Sequence, residues 1–172
     1  MKRLLTLLLL LLTGCIRTPD GITAVEDFEI NRYLGTWHEI ARLDHSFERG
    51  LTRVTATYSL REDGGIRVLN RGYNPTSGQW KQAEGKAYLL GSPSTGAFKV
   101  SFFGPFYASY NIIALDRADY GHAMVCGPNR SYLWILARTP RLPSPVLQQL
   151  LRQAENLGFA TDQLILVDQV EP

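Results

Sequence analysis

The chain has 172 residues, of which 45% are hydrophobic, 20% charged and 10% aromatic, a balance that builds one ordinary globular domain and excludes disordered, collagen-like and polytopic membrane chains. The formal charge is 18 − 16 = +2. It falls to 16 − 16 = 0 once Lys2 and Arg3 leave with the segment read next, so no cationic excess remains to displace counterions from a nucleic acid.

Lys2 and Arg3 precede nine apolar or near-apolar residues, Leu4 to Leu12, and then Thr13-Gly14-Cys15. This is the pattern of a signal peptide over 1–14, because nine helical residues span only ~14 Å, about half of a hydrocarbon core. Leu12-Thr13-Gly14-Cys15 resembles the bacterial lipobox. The resemblance implies lipidation at Cys15, with a diacylglyceryl group on the thiol and an acyl group such as palmitate on the new amino terminus. Ile16, in place of an aspartate, implies sorting to the bacterial outer membrane, and several acyl chains give the stable anchoring that one cannot. Residues 15–28 are polar and irregular, with Pro19 and Gly21, and read as a lipidated tether.

Residues 29–172 form the single domain. Val54 to Leu60 alternates, placing Val54, Ala56, Tyr58 and Leu60 on one face, and Asp63-Gly64-Gly65 turns the chain into a returning strand from Ile66 to Tyr73. Trp80–Leu90, Phe98–Phe102, Tyr107–Leu115, His122–Val125 and Tyr132–Ala137 follow, separated by Gly- and Pro-bearing turns. With Trp37–Ala41 these are eight strands, and the expected fold is all-β: an eight-stranded up-and-down antiparallel β-barrel, closed so that neither edge is exposed. Ser144 is the expected N-cap of an amphipathic helix that carries Val146, Leu147, Leu150, Leu151, Ala154 and Leu157 and ends at Gly158, packed outside the barrel. A short strand at Leu164–Val167 closes the domain.

Catalytic signatures fail. No Gly-x-Ser-x-Gly or Ser-x-x-Lys occurs, the pattern begun by His38-Glu39 has Arg42 where a second zinc-binding histidine belongs, and Gly85-Lys86 lacks the rest of a phosphate loop. His38, His45 and His122 have no paired cysteines with which to hold a metal, so no metal site and no cofactor is expected. Glu39, Glu84 and Asp44 are the carboxylates from which an acid/base pair could be drawn, and at strand ends they read as solvated or paired. Cys126, left alone once Cys15 is lipidated, reads as a small buried side chain.

Tyr33-Leu34-Gly35-Thr36-Trp37-His38-Glu39-Ile40 resembles the Gly-x-Trp motif that opens the first strand of lipocalins. Tyr110 to Asp116 is similar to the second motif of that family and Trp134 to Arg138 to its third; further runs, among them Gly72-Tyr73-Asn74-Pro75 and Val100 to Phe106, resemble bacterial outer-membrane lipocalins. The resemblance implies a structural signature in which Trp37 plugs the closed end of the barrel, Arg138 lies across its indole and Gly35 permits the close approach. The second motif departs from the common Thr-Asp-Tyr ending, with Leu115-Asp116 here and Asp119-Tyr120 further on.

With Trp37 and Arg138 setting the inward parity, Glu39, Val54, Ala56, Tyr58, Val68, Asn70, Val100, Phe102, Ile112, Trp134 and Leu136 are expected to face the lumen and bind ligand. Such a lumen suits an apolar tail with a polar head, and the resemblance implies a fatty acid or lysophospholipid held without covalent chemistry. The alternatives are a small enzyme acting on a lipophilic substrate and an envelope scaffold. No catalytic residue is assigned, and a homodimer remains open beside the monomer.

Overall fold

The computed structural model describes residues 16–170. The signal peptide and Cys15 lie outside the described residues. A one-turn helix α1 (Ile30–Tyr33) leads into eight strands: β1 (Gly35–Arg42), β2 (Thr52–Leu60), β3 (Ile66–Asn74), β4 (Gln79–Leu89), β5 (Ala97–Phe103), β6 (Phe106–Leu115), β7 (His122–Cys126) and β8 (Leu133–Ala137). Helix α2 (Ser144–Asn156), a 3-10 turn (Thr161–Gln163) and the two-residue strand β9 (Ile165–Leu166) complete the chain.

Each strand pairs antiparallel with the next, and β1 closes the sheet by pairing with both β2 and β8. The eight-stranded meander expected from the alternation is therefore a closed barrel. Closure satisfies edge groups that an open sheet would leave bare. The short β2–β3 hairpin is held by Asp63, whose Oδ1 accepts from Gly65 N at 3.0 Å while Gly64 takes φ +79°. Leu60, on the face of Val54, Ala56 and Tyr58 by alternation, is 59% exposed: it still pairs with Ile66 of β3, but β1 pairs with β2 only as far as Tyr58.

One end of the barrel is plugged. Trp37 is fully buried and donates from Nε1 to Tyr33 O at 2.8 Å. Arg138 lays its guanidinium 4.0 Å from the indole centroid and donates to Thr36 O (3.1 Å) and Arg32 O (2.7 Å). Gly35 adopts φ +95°, and a Cβ there would stand 3.3 Å from Arg138 Nη1. The β6–β7 turn belongs to the same end: Asp116 accepts from the backbone N–H groups of Ala118 and Gly121, and the hydroxyl of buried Tyr120 accepts from Glu29 N. Asp116 and Tyr120 thus share the turn despite their wider spacing.

Two apolar layers result. Inside, Phe28, Tyr33, Trp37, Phe98, Ile112 and their neighbours fill the closed end. Outside, Leu150 and Ala154 of α2 bury against Ile113, Met124, Leu133 and Ile135, with Val146, Leu147 and Leu151 partly covered, as their helical spacing requires. The helix starts one residue earlier than expected. Pro143 is its N-cap, no side chain caps it, and the Pro143 carbonyl takes the N–H groups of Val146 and Leu147. Gly158, at φ +83°, follows the last turn.

The tether expected over 15–28 is corrected from residue 16 onward, because the segment is strapped to the barrel. Ile22 and Phe28 are buried, Val25 N donates to Ile112 O and its carbonyl accepts from Gly96 N, both at 2.8 Å. Nearer its start, Ser109 Oγ donates to Arg17 O at 2.8 Å, and Thr18 Oγ1 to Asn111 Oδ1 at 3.1 Å. Apolar burial and backbone pairing outweigh the polar composition that marks a free linker.

Candidate functional site: a cavity in the barrel

The end of the barrel opposite Trp37 is open, and a cavity of about 730 Å³ runs down into it. Glu39 of β1, Val54, Ala56 and Tyr58 of β2, and Val68 and Asn70 of β3 line one side. Val100 and Phe102 of β5 with Trp134 and Leu136 of β8 line the other. Ile112 is the one expected lumen residue that does not line it. Its side chain points inward but is wholly buried in the closed-end cluster, beside Val25 and Phe98. Parity gives the face of a strand and not the depth along it.

Part of the lining comes from outside the regular alternation. Phe47, Glu48 and Leu51 come from the β1–β2 loop, which folds over the mouth, and Tyr33 comes from α1. Loop residues carry no periodicity to reveal them.

At the floor, three phenols meet. Tyr110 Oη lies 2.7 Å from Tyr33 Oη and 2.8 Å from Tyr58 Oη, so the hydroxyls satisfy one another in an otherwise apolar region. Burial raises the pKa of all three far above the usual phenol range, and they remain neutral donors and acceptors.

A second polar group sits higher on the wall. A bulge between Glu39 and Ala41 resets the alternation of β1, so that Arg42 also turns inward, and its Nη1 donates to Glu39 Oε1 at 2.7 Å. Arg42 Nη2 donates to the carbonyls of Glu48 (3.0 Å) and Leu51 (3.3 Å), tying the mouth loop to the wall. Trp134 Nε1 donates to Glu48 Oε2 at 3.1 Å, and His45 Nε2 lies 3.0 Å from the same oxygen. Of the two states expected for it, solvated or paired, Glu39 takes the second, with its partner inside the barrel.

The two carboxyls are driven apart in acidity. Burial, then the charge of Glu48, pushes Glu39 well above its ordinary value, and Arg42 only partly offsets this. Burial also acts to raise Glu48, but the neighbouring His45 imidazole, the hydrogen bond from Trp134 and the charge of Arg42 overcome it and hold Glu48 low. Glu39 thus holds a proton more tightly than a free carboxyl, and Glu48 less tightly. Glu84 pairs with Arg67 and Asp44 with Arg49 at the surface, so the three carboxylates considered from sequence are not brought together. Among the described residues no group of His, Cys, Asp or Glu is arranged to hold a metal ion.

Most of the lining is apolar, with a few convergent polar atoms. One of them, Asn70 Oδ1, is buried without a partner and free to accept from a guest. Cys126 is buried on the outside of the wall, and burial pushes its thiol up to about 12, which disfavours the thiolate at neutral pH.

A family profile described as a lipocalin-like domain matches residues 28–169. The chain belongs to the lipocalin family. This lipocalin is 62% identical over 151 residues to the outer membrane lipoprotein Blc of Citrobacter freundii, an alignment that spans 88% of the chain and 85% of the relative. It is 54% identical to the Blc protein of Vibrio cholerae over 159 residues, 92% of the chain and 93% of the relative. Apolipoprotein D of Rattus norvegicus is similar at 34% identity, with 84% of this chain and 85% of that one covered. Among solved structures, insecticyanin from the tobacco hornworm Manduca sexta superposes with a TM-score of 0.70 at 21% identity, over 90% of this lipocalin and 87% of that chain, and shows the same fold.

Proposed function

We propose that this lipocalin is a bacterial outer-membrane lipoprotein, anchored through acyl groups on Cys15, that carries or stores one fatty acid or lysophospholipid in its barrel without covalent chemistry. The observation that carries the reading is the cavity of about 730 Å³, closed below by Trp37 and lined chiefly by apolar side chains. Burying about sixteen methylenes at ~0.8 kcal/mol each yields roughly 13 kcal/mol. Association and ordering consume about 4 to 15 kcal/mol of such a gain, so binding in the micromolar range or tighter is within reach of a single chain. The high identity to Blc lipoproteins supports the membrane location, and the lipobox supplies the attachment point.

The polar groups are suited to holding a guest and not to transforming one. The phenols are neutral, Glu39 is hydrogen-bonded to Arg42, and no nucleophile with an adjacent base lines the lumen. Titration with lysophospholipid, followed through Trp134 fluorescence with the lipid analysed afterwards, tests this. Saturable change with intact lipid supports a carrier, turnover replaces it with an enzyme, and silence of both leaves a scaffold.

A further inference from the structure

Asn70 Oδ1 is buried in the cavity wall without a hydrogen-bond partner, a state that costs free energy until a guest supplies a donor. Its neighbours supply none. On the inward face of the sheet Asn70 stands between Ala56 of β2 and Ala83 of β4, with Val68 and Gly72 flanking it on its own strand. The Tyr58 hydroxyl, the next inward group along β2, is already engaged with Tyr110. Small side chains on both sides leave room for a polar group to reach the amide. Among the described residues the one other lining atom buried without a partner is Ser101 Oγ. Its register partner is Lys86, three residues past Ala83 and about 10 Å further along β4, so one group does not serve both.

One step nearer the mouth, Lys81 faces Gly72 across the β3–β4 pair. A Cβ at Gly72 would stand 3.0 Å from Leu51 Cδ1 and 3.2 Å from Val54 Cγ2, both on lining side chains, so this pair shares the inward face with Asn70 and Ala83. Lys81 lines the mouth, exposed, and makes no ion pair with a carboxylate among the described residues. Diagonal neighbours on an antiparallel pair lie ~7 to 8 Å apart, a gap that the flexible lysine stem spans.

Together the two side chains describe a guest. Asn70 needs a donor, which neither a carboxylate nor a phosphodiester carries, and desolvating an ammonium in an apolar lumen costs far more than one hydrogen bond returns. A hydroxyl is neutral, and because it both donates and accepts it serves the amide whichever way the amide is turned. Lys81 then meets the anion of the same molecule nearer the mouth.

We propose that Asn70 and Lys81 form a recognition site for an acyl lipid with a free hydroxyl within a few bonds of its anionic group, Asn70 accepting from the hydroxyl and Lys81 pairing with the carboxylate or phosphate. A 3-hydroxy fatty acid has this chemistry, and a lysophospholipid has it through its glycerol hydroxyl. The proposal rests on the carrier reading above and adds to it the feature by which one acyl lipid is preferred to another.

The full chain is titrated with palmitate and 3-hydroxypalmitate, and in parallel with palmitoyl lysophosphatidylethanolamine and its analogue lacking the glycerol hydroxyl, each followed through Trp134 fluorescence. In at least one pair the hydroxylated lipid is expected to bind about fivefold more tightly. Preference in the first pair alone assigns the hydroxyl to the acyl chain, and in the second alone to the glycerol. Asn70→Leu, close in volume, and Asn70→Ala, which adds no bulk, are each expected to bring the ratio to one while palmitate still binds. Lys81→Met is expected to weaken the preferred lipid about threefold at low salt and to leave the ratio intact. Equal affinity within both pairs, or a ratio that survives loss of the amide, overturns the proposal and leaves the carrier reading standing. A Lys81→Met chain that binds as the wild type does overturns the placing of the anion. A wild-type chain that takes up none of the four lipids overturns the carrier reading, and the proposal with it.

Discussion

Arg42 meets Glu39 at 2.7 Å inside the barrel because a bulge lies between Glu39 and Ala41. In regular alternation the two residues would point to opposite faces of β1. The same guanidinium holds the Glu48 and Leu51 carbonyls, so one cation joins the wall of the cavity to the loop over its mouth.

Replacing Arg42→Met removes these donors and leaves two loop carbonyls bare, at an expected cost of about 2 to 4 kcal/mol in urea unfolding. Hydrogen exchange in the 43–51 loop should accelerate with it. Because burial favours the neutral form of Glu39, adding Glu39→Gln should deepen or relieve this loss only slightly; a large rescue by the double variant would show instead that Arg42 was needed to balance an ionised Glu39.

The raised pKa of Glu39 has a definite sign in stability. A carboxyl with a higher proton affinity when folded favours the native state fully below its unfolded value, near 4.5, and this contribution drains as pH rises through the folded value. Glu39→Gln cannot ionise, so wild type should lose stability relative to it as pH rises from the unfolded value, near 4.5, through the raised folded value. Glu48 works in the opposite sense, lending stability that is lost as pH falls through its lowered value. Parallel melting-temperature profiles for wild type and Glu39→Gln would remove the assignment of the buried proton.

Arg138→Ala deletes both the contact over Trp37 and the donors to Thr36 O and Arg32 O. The expected loss is about 1 to 3 kcal/mol by denaturant titration, with cavity binding preserved because Arg138 lies beneath the closed end. Weaker ligand affinity at unchanged stability would place Arg138 in the binding site.

Ala56 is a small side chain in the cavity wall, paired across the sheet with both Trp37 and Asn70. Ala56→Trp should fill the lumen and weaken acyl-chain binding at least tenfold, about 1.4 kcal/mol, while far-ultraviolet circular dichroism keeps the barrel signature. Unchanged affinity in a folded variant would move the ligand out of the barrel.

Much of the barrel was legible because strand alternation and glycine turns are local signals. Val54, Ala56 and Tyr58 line the cavity as their spacing requires, and Leu150 and Ala154 bury as the helical period requires. What was not legible is non-local. The bulge that turns Arg42 inward adds one unpaired residue and leaves no mark in composition. Phe47, Glu48 and Leu51 reach the site from a loop, and Ile22 and Phe28 sit in a segment whose polar neighbours disguise its docking. Alternation gives Ile112 its face but not its depth, which depends on where the closed-end cluster stops.

Native mass spectrometry of the folded chain, purified without added lipid and then mixed with lysophospholipid, tests the carrier reading most directly. One lipid per chain is expected, bound reversibly, intact after release and displaced in Ala56→Trp. A wild-type chain that takes up no lipid, or takes it up equally well with the lumen filled, would contradict a barrel that carries its guest inside.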